Sequence, residues 1–444
     1  MRARAAWIAD AVATAAHPAG AAAAARTLAC VAALALALAC APALAQTPET
    51  PVAPNSTCWT CHLEMEGDAG PAHGFADDVH AHAGLTCSDC HGGDPRASEV
   101  ETAHDASWRG RPGTSEVPKL CGRCHSDAAF MRSYDPSLPV DQVEKYATSV
   151  HGQRLAGGDE KAAVCTSCHG VHGILPASHP RSHVYAQNIP ATCDRCHGDA
   201  ALMDTYGIGS DQFAEYRRSV HGAALLERGD LGAPACNDCH GNHGAAPPGV
   251  ESVSHVCGSC HALNAEMFAA SPHADAYKEA GIPQCEACHG NHEVAAASDS
   301  LLDAGTGVCS GCHGDGEPGL TAASGMLAAL DSLRTSYDEA SALLEKASHK
   351  GMEVSEAVFE LKSARQALIE ARTATHTVTL AKVTEPASKG REITRAAAET
   401  GRSALAAYEY RRRGLGISTL ALSLFAIGLA FKIRQMESRN RSRS

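Results

Sequence analysis

Aromatic side chains are scarce in this chain of 444 residues: Phe, Trp and Tyr together make up 4% of it. That is thin for a conventional packed core in a chain with room for two or three domains. Basic residues are also thin over much of the length. From Gln46 to Glu317 there are 36 Asp and Glu against 15 Lys and Arg. An excess of acid on that scale argues against nucleic acid and suggests basic partners. Long apolar runs occur only towards the two ends. Cysteine, by contrast, is abundant, with 20 residues, many for a reduced cytosolic enzyme. Together these features imply that something other than side chains fills the interior.

The N-terminus reads as an export signal over residues 1–45. Arg2, Arg4 and Arg26 give a basic lead, residues 27–38 are apolar, and Ala43-Leu44-Ala45 offers a small-x-small cleavage site. Cleavage before Gln46 would remove Cys30 and Cys40 and leave 18 cysteines. Cys40 is alternatively a lipidated cysteine, although Ala37, three residues before it, is not the leucine such a site favours.

All 18 remaining cysteines fall into one arrangement, repeated nine times. In chain order the motifs are Cys58–Cys61–His62, Cys87–Cys90–His91, Cys121–Cys124–His125, Cys165–Cys168–His169 and Cys193–Cys196–His197. Cys236–Cys239–His240, Cys257–Cys260–His261, Cys285–Cys288–His289 and Cys309–Cys312–His313 complete the set. Each is C-x-x-C-H, the attachment signature for haem c. Two thiols at that spacing can form thioethers to the vinyl groups on one porphyrin edge, and the next histidine turns under the ring to supply an axial nitrogen. Zinc knuckles need no histidine after every second cysteine, a disulfide framework demands no uniform spacing, and thioredoxin-like motifs come singly. Nine covalent haems over about 271 residues would make porphyrin much of the core and leave little protein between neighbouring rings.

Sixteen histidines lie outside these motifs, and internal repeats sort them. Cys121-Gly-Arg-Cys-His-Ser-Asp-Ala-Ala-Phe-Met131 is echoed at Cys193 to Met203 and, more briefly, at Cys257 to Met267. Each copy is followed by a histidine, in Ser149-Val-His151, Ser219-Val-His221 and Ser271-Pro-His273, and then by a motif that continues as CHGxH, giving His172, His243 and His292. A histidine recurring at one place in each repeat suits a second, distal iron ligand, the bland alternative being a hydrogen bond to a propionate or to backbone. Earlier in the chain His80 and His104 are candidates, with His82 the competitor to His80 and His73 a weaker option. His179, His183 and His255 lack clean repeat partners and read as surface or second-shell groups.

From about Leu320 the cysteines stop and helical periodicity begins. Met326, Leu330, Leu333, Tyr337, Ala340, Leu344 and Ala347 form a narrow apolar stripe. Gly351 interrupts it, and a second run passes through Val358, Leu361, Ala364, Leu368 and Ala371. Residues 373–386, Thr-rich and ending in Pro386, should break it again, with a third helix from about Ser388. The spacing predicts a three-helix bundle or hairpin stalk over residues 318–413. If the first helix leaves near His313 and the second returns, His376 comes back beside the haems, making it the candidate ninth distal ligand. Gly414 to Phe431 carries no charge and is long enough to span a membrane, giving an expected transmembrane helix over 414–433 and a basic tail over 434–444. Haem attachment outside the cytoplasm would make that tail cytoplasmic.

The strings Ser149-Val-His-Gly, Cys165-Thr-Ser-Cys-His-Gly-Val-His172 and Ile189-Pro-Ala-Thr-Cys193 resemble membrane-anchored bacterial multihaem cytochromes c with doubled CxxCH motifs, of the broad cytochrome c3-like group. The resemblance covers about residues 55–317. It implies bis-histidine, low-spin haems that relay electrons between membrane quinol chemistry and periplasmic or outer acceptors. The expected location is the bacterial inner membrane with the haem domain facing the periplasm; the resemblance does not fix the redox partners, for which a cytochrome b or a quinol-oxidising subunit is the expectation. The expected fold is mainly α with extensive irregular structure: a nine-haem domain over 46–317, the stalk and one C-terminal anchor. An electron carrier is the leading expectation. The alternative is a reductase or oxidase of a small nitrogen compound, which needs one iron with an open sixth position; no CxxCK variant is present.

Overall fold

The structure is a computed structural model that describes residues 56–66, 70–244 and 253–441. The expected leader with Cys30 and Cys40, and the end of the basic tail, lie outside the described residues. Among those described there are helices and connecting turns and no strand, in agreement with a mainly α fold.

Up to residue 317 the helices are short, and the attachment motifs account for many of them. Cys87–His91, Cys165–His169 and Cys236–His240 are each one helical turn entered from an extended residue, Thr86, Val164 or Ala235. All three are left through a glycine at positive φ, Gly92, Gly170 or Gly241, and Gly290 repeats the device after His289. A left-handed residue there costs a side chain dearly and glycine nothing, so the chain reverses at once and the next few residues pass back over the motif. The third and fifth motifs instead end longer helices, Val117–His125 and Ile189–His197, each with proline in its first turn. Apolar clusters here are small: Val117, Leu155, Ala162 and Val164 in one, Tyr216, Leu225 and Ala235 in another.

From Pro318 the character changes. Three long helices, α1 (Pro318–His349), α2 (Ser355–Ala374) and α3 (Leu380–Arg441), pack side by side. The stripe on α1 is the buried seam, with Met326, Leu330, Leu333, Ala340, Leu344 and Ala347 almost wholly excluded from solvent. Full burial of each leucine contributes about 2 kcal/mol. Gly351, at φ 73°, makes the turn into α2.

Two expectations need correction. Val358 is 44% exposed, and its neighbour Ala357 faces the core instead. The third helix begins at Leu380 rather than after Pro386, which lies inside it. Val383 and Ala387 on either side of that proline are 0% and 1% exposed, so packing holds the turn together despite the missing N–H. The same α3 then runs on without interruption through Gly414 to Phe431, where its large apolar side chains stand exposed. Among the described residues it is the one helix long and apolar enough to cross a membrane.

The bundle touches the rest of the chain at one end. Leu302 packs on its upper core, and Arg372 near the end of α2 forms a bidentate ion pair with Asp299, at 2.8 and 2.7 Å. The short turn Thr375–Thr377 between α2 and α3 lies against the helix Ala262–Ala269.

Candidate functional site: nine histidine pairs

Every attachment-motif histidine faces the ring of a second histidine. With the motifs numbered one to nine along the chain, the odd ones pair as His62 with His104 (6.3 Å between ring centroids), His125 with His80 (6.0 Å) and His197 with His151 (6.2 Å). His261 with His221 (6.3 Å) and His313 with His273 (6.0 Å) complete that set. The even ones pair as His91 with His172 (5.9 Å), His169 with His243 (6.1 Å), His240 with His292 (6.0 Å) and His289 with His376 (6.2 Å). Two imidazoles bound through nitrogen to one metal, at about 2 Å each and roughly 1.1 Å from nitrogen to ring centre, would have centroids about 6 Å apart. The donor set therefore fits one iron between each pair, beside two thiols that can anchor a porphyrin.

The pairings follow a rule. Each histidine that precedes an even motif (His80, His151, His221, His273) faces the odd motif that comes after it. Each CHGxH histidine (His172, His243, His292) faces the even motif two places back. The rule fails only at the ends of the array. The first motif takes His104 from the segment after the second, and the eighth takes His376 from the bundle.

Ring orientation follows the same division. The four even pairs are inclined by 35°, 4°, 25° and 24°. The odd pairs are more crossed, at 89°, 84°, 61°, 38° and 56° in chain order.

Local sequence explains how the rings are aimed. Ser149 and Ser219 are buried N-caps whose Oγ accepts from the N–H of Gly152 and Gly222, both at 2.9 Å, starting a helical turn at the histidine. A Cβ on either glycine would collide with the carbonyl of Tyr146 or Tyr216. Asp78 does the same work before His80: its Oδ1 accepts from the His80 N–H at 2.9 Å. Asp78-Val79-His80 is thus a further copy of Ser-Val-His, a signal that separates His80 from exposed His82 and that sequence reasoning passed over. His73 is also exposed. The Val79 N–H donates to the Ile174 carbonyl at 2.8 Å and the Val220 N–H to that of Val294 at 2.9 Å. Segments carrying the two kinds of distal histidine are therefore stitched together.

Several rings are fixed through Nδ1, which leaves Nε2 for a metal. His376 Nδ1 contacts the Thr373 carbonyl at 2.9 Å, His91 that of Gly110 at 2.9 Å and His104 that of Val100 at 3.2 Å. Carboxylates take this place for His80 (Asp78, 2.8 Å), His313 (Glu317, 3.4 Å) and His292 (Glu215, 3.5 Å). Burial, the largest cause, holds His125, His151, His169, His197, His240 and His289 below the usual histidine value, favouring the neutral ring that binds metal. Of the remaining histidines, His179 accepts from the Arg181 N–H at 3.1 Å and His183 stands beside Gly170.

The thiols show how the motifs are arranged in space. None of the 18 described cysteines is in a disulfide. Burial and then Cys58 push the Cys87 thiol up to about 11; burial and then Cys124 raise Cys90. The leading influence on Cys121, Cys236 and Cys285, all raised, is a thiol of the preceding or following motif, Cys165, Cys193 and Cys257 in turn. Burial followed by the next motif's thiol raises Cys168 (Cys193) and Cys239 (Cys257). In Cys288 burial leads as well, with Cys309 contributing. Each motif is thus within electrostatic reach of its successor, in sequence order, and the row is continuous from Cys58 to Cys312. Two arginines lock successive motifs. Arg123 donates to the Asp89 carbonyl at 2.8 Å and Arg195 to that of Ser167 at 2.6 Å.

Comparison with known families agrees with this chemistry. Residues 79–198 match the family model described as cytochrome c3, which supports a multihaem c-type cytochrome with covalently bound haem c and a role in electron transfer. No curated protein and no solved structure matches the chain.

Proposed function

We propose that this chain is a nine-haem electron-transfer cytochrome, tethered by α3 to the bacterial inner membrane with its haem region in the periplasm. It would relay electrons between a membrane redox partner and periplasmic acceptors. The observation that carries the reading is the set of nine facing imidazole pairs, each spaced for one iron and each beside its own pair of thiols. Haem c held there supplies one-electron iron chemistry. The chain's part is to supply both axial nitrogens at each site, to hold the rings through Nδ1, and to keep successive sites adjacent. The rival reading, catalysis at an open iron, would need a motif histidine with no facing imidazole, and every motif has one.

The stalk bears on the choice of partner. From Leu380 to Gly414 α3 covers about 50 Å at 1.5 Å per residue, and the cytochrome region meets the bundle at the far end from Gly414. A quinol at the bilayer surface would lie well away from the nearest motif. A protein that bridges this gap, such as a cytochrome b or quinol-oxidising subunit with a peripheral domain, fits the geometry better than direct oxidation of quinol by this chain.

The test is to produce the full chain in a host with cytochrome c maturation machinery and to measure intact mass and low-temperature electron paramagnetic resonance (EPR). Nine haems, all low-spin when oxidised, are expected. A high-spin ferric signal that shifts with nitrite would move the reading to the reductase. A product with no Soret band would end both.

A further inference from the structure

Trp108 belongs to none of the repeats, yet its indole lies between axial histidines of the first two sites. Its ring centroid is 4.6 Å from that of His104, edge-on at 64°, and 5.5 Å from that of His91. The segment that carries it is tied down on the second motif. The Arg109 N–H donates to the His91 carbonyl at 2.7 Å, and Ser107 Oγ accepts from the Gly93 N–H at 2.9 Å. A Cβ on Gly92 would collide with the Ser107 carbonyl, so the close approach depends on that glycine. His91 is itself held by the Gly110 carbonyl. The indole therefore has a fixed ring on one side and His104 on the other.

His104 needs such a support. It follows a helix of four residues, Val100–Ala103, and its ring is held by a 3.2 Å bond from Nδ1 to the Val100 carbonyl. A single bond of that length leaves the ring free to swing about it, whereas an aromatic edge pressed against the face selects one plane. That plane is 89° from the plane of His62, the most crossed of the nine pairs.

We infer that Trp108 is a positioning residue that transmits the fixed orientation of His91 to His104 and so sets the crossed axial geometry of the first site. The inference rests on the haem reading above. The mutual angle of two axial imidazoles governs how the iron d orbitals split, so the plane of His104 fixes the electronic character of that site, by a neighbour acting on a ligand.

The test compares Trp108→Leu and Trp108→Phe in the oxidised full-length protein, by EPR together with haem count from intact mass. Near-perpendicular pairs give strongly anisotropic low-spin signals. Two such centres are expected in the parent, from His62/His104 and His125/His80. Trp108→Leu should halve that class and leave the other seven centres unchanged, while Trp108→Phe, which keeps a flat ring, should retain it. An unchanged spectrum in a nine-haem Trp108→Leu protein overturns the inference, as does a Trp108→Phe spectrum altered to the same degree. Should Trp108→Leu assemble fewer than nine haems, Trp108→Met is judged by the same criteria. Absence of haem from the parent chain would instead overturn the haem reading itself.

Discussion

His376 lies outside the cytochrome region in sequence, and replacing it with alanine isolates one site of nine. Its ring faces His289 at 6.2 Å and 24°, and the Thr373 carbonyl fixes its tautomer. The other histidine that acts electrostatically on His289 is His261, which is already paired with His221. The threonine hydroxyls around the site, Thr373, Thr375 and Thr377, are committed to backbone carbonyls at 2.7–2.9 Å. One iron in nine, about 11% of the ferric signal, should therefore pass to high spin while the haem count stays at nine. The fold should survive, because the Arg372–Asp299 pair and the packing of Leu302 still hold the bundle to the cytochrome region. EPR on the oxidised variant reads the change, and His349→Ala, an exposed histidine at the other end of the bundle, is the control. A nine-haem His376→Ala protein that remains wholly low-spin, or an equal high-spin signal in His349→Ala, would refute the assignment.

Other perturbations test the remaining parts of the argument. In the parent protein, the four even sites, inclined by 35° or less, should give rhombic low-spin signals distinct from those of the two near-perpendicular sites; a single uniform class would contradict the ring geometry. Arg372→Ala removes a bidentate but partly exposed pair and should cost about 1 kcal/mol, read as a lower melting temperature with an unchanged haem count. Ser219→Ala removes the cap that starts the His221 turn and should destabilise by about 1 kcal/mol, with the seventh site the first to show high-spin character on warming. Truncation after Arg413 should release a nine-haem protein into the soluble fraction, and continued membrane association would remove the role given to α3.

The attachment motifs and the identities of the distal candidates were legible in the sequence because both depend on local spacing. The pairing was not. His172 lies three residues from His169, yet it faces His91, because positive φ at Gly170 turns the chain away and the Asp78–Ile174 hydrogen bond carries it to the earlier motif. Such crossings are tertiary facts with no periodic signature. The bundle shows the converse. Its seam was plain from the 3–4 spacing, but the start of α3 was misjudged because proline punctuation at 386 yields to the burial of Val383 and Ala387. Trp108 was invisible for a simpler reason: a lone tryptophan in a loop carries no repeat to flag it.

The pairing rule has a consequence that a deletion can test. Because the Ser-Val-His type of histidine faces forward to the odd motif beyond the next and the CHGxH type faces the even motif two places back, the array reads as a repeat of two motifs, and its ends take facing rings from elsewhere. At the front, Asp94 occupies the CHGxH histidine position of the second motif, where an imidazole would have no earlier even motif to face. At the back, residues 314–444 hold no further CxxCH motif whose CHGxH histidine could face the eighth, and His376 faces it instead. Removing residues 152–221 excises the fourth and fifth motifs together with His172 and His221, and joins His151 to Gly222 in the register of the next Ser-Val-His. His243 is then the CHGxH histidine two places after the second motif, and His151 precedes the even motif before Cys257. Cys121 would meet Cys236 in place of Cys165, a contact of the kind already made between Cys193 and Cys236. Tyr146, which now donates to the Ala163 carbonyl at 2.9 Å, would find that of Pro234, the partner of Tyr216 at the same distance. The shortened protein should carry seven haems, all low-spin. Removing residues 157–177 alone takes out the fourth motif and His172, strands the second motif without a facing ring, and should give eight haems with one of them high-spin. Low-spin iron throughout the second deletion, or high-spin iron in the first, would show that ligands are recruited opportunistically rather than by a two-motif register.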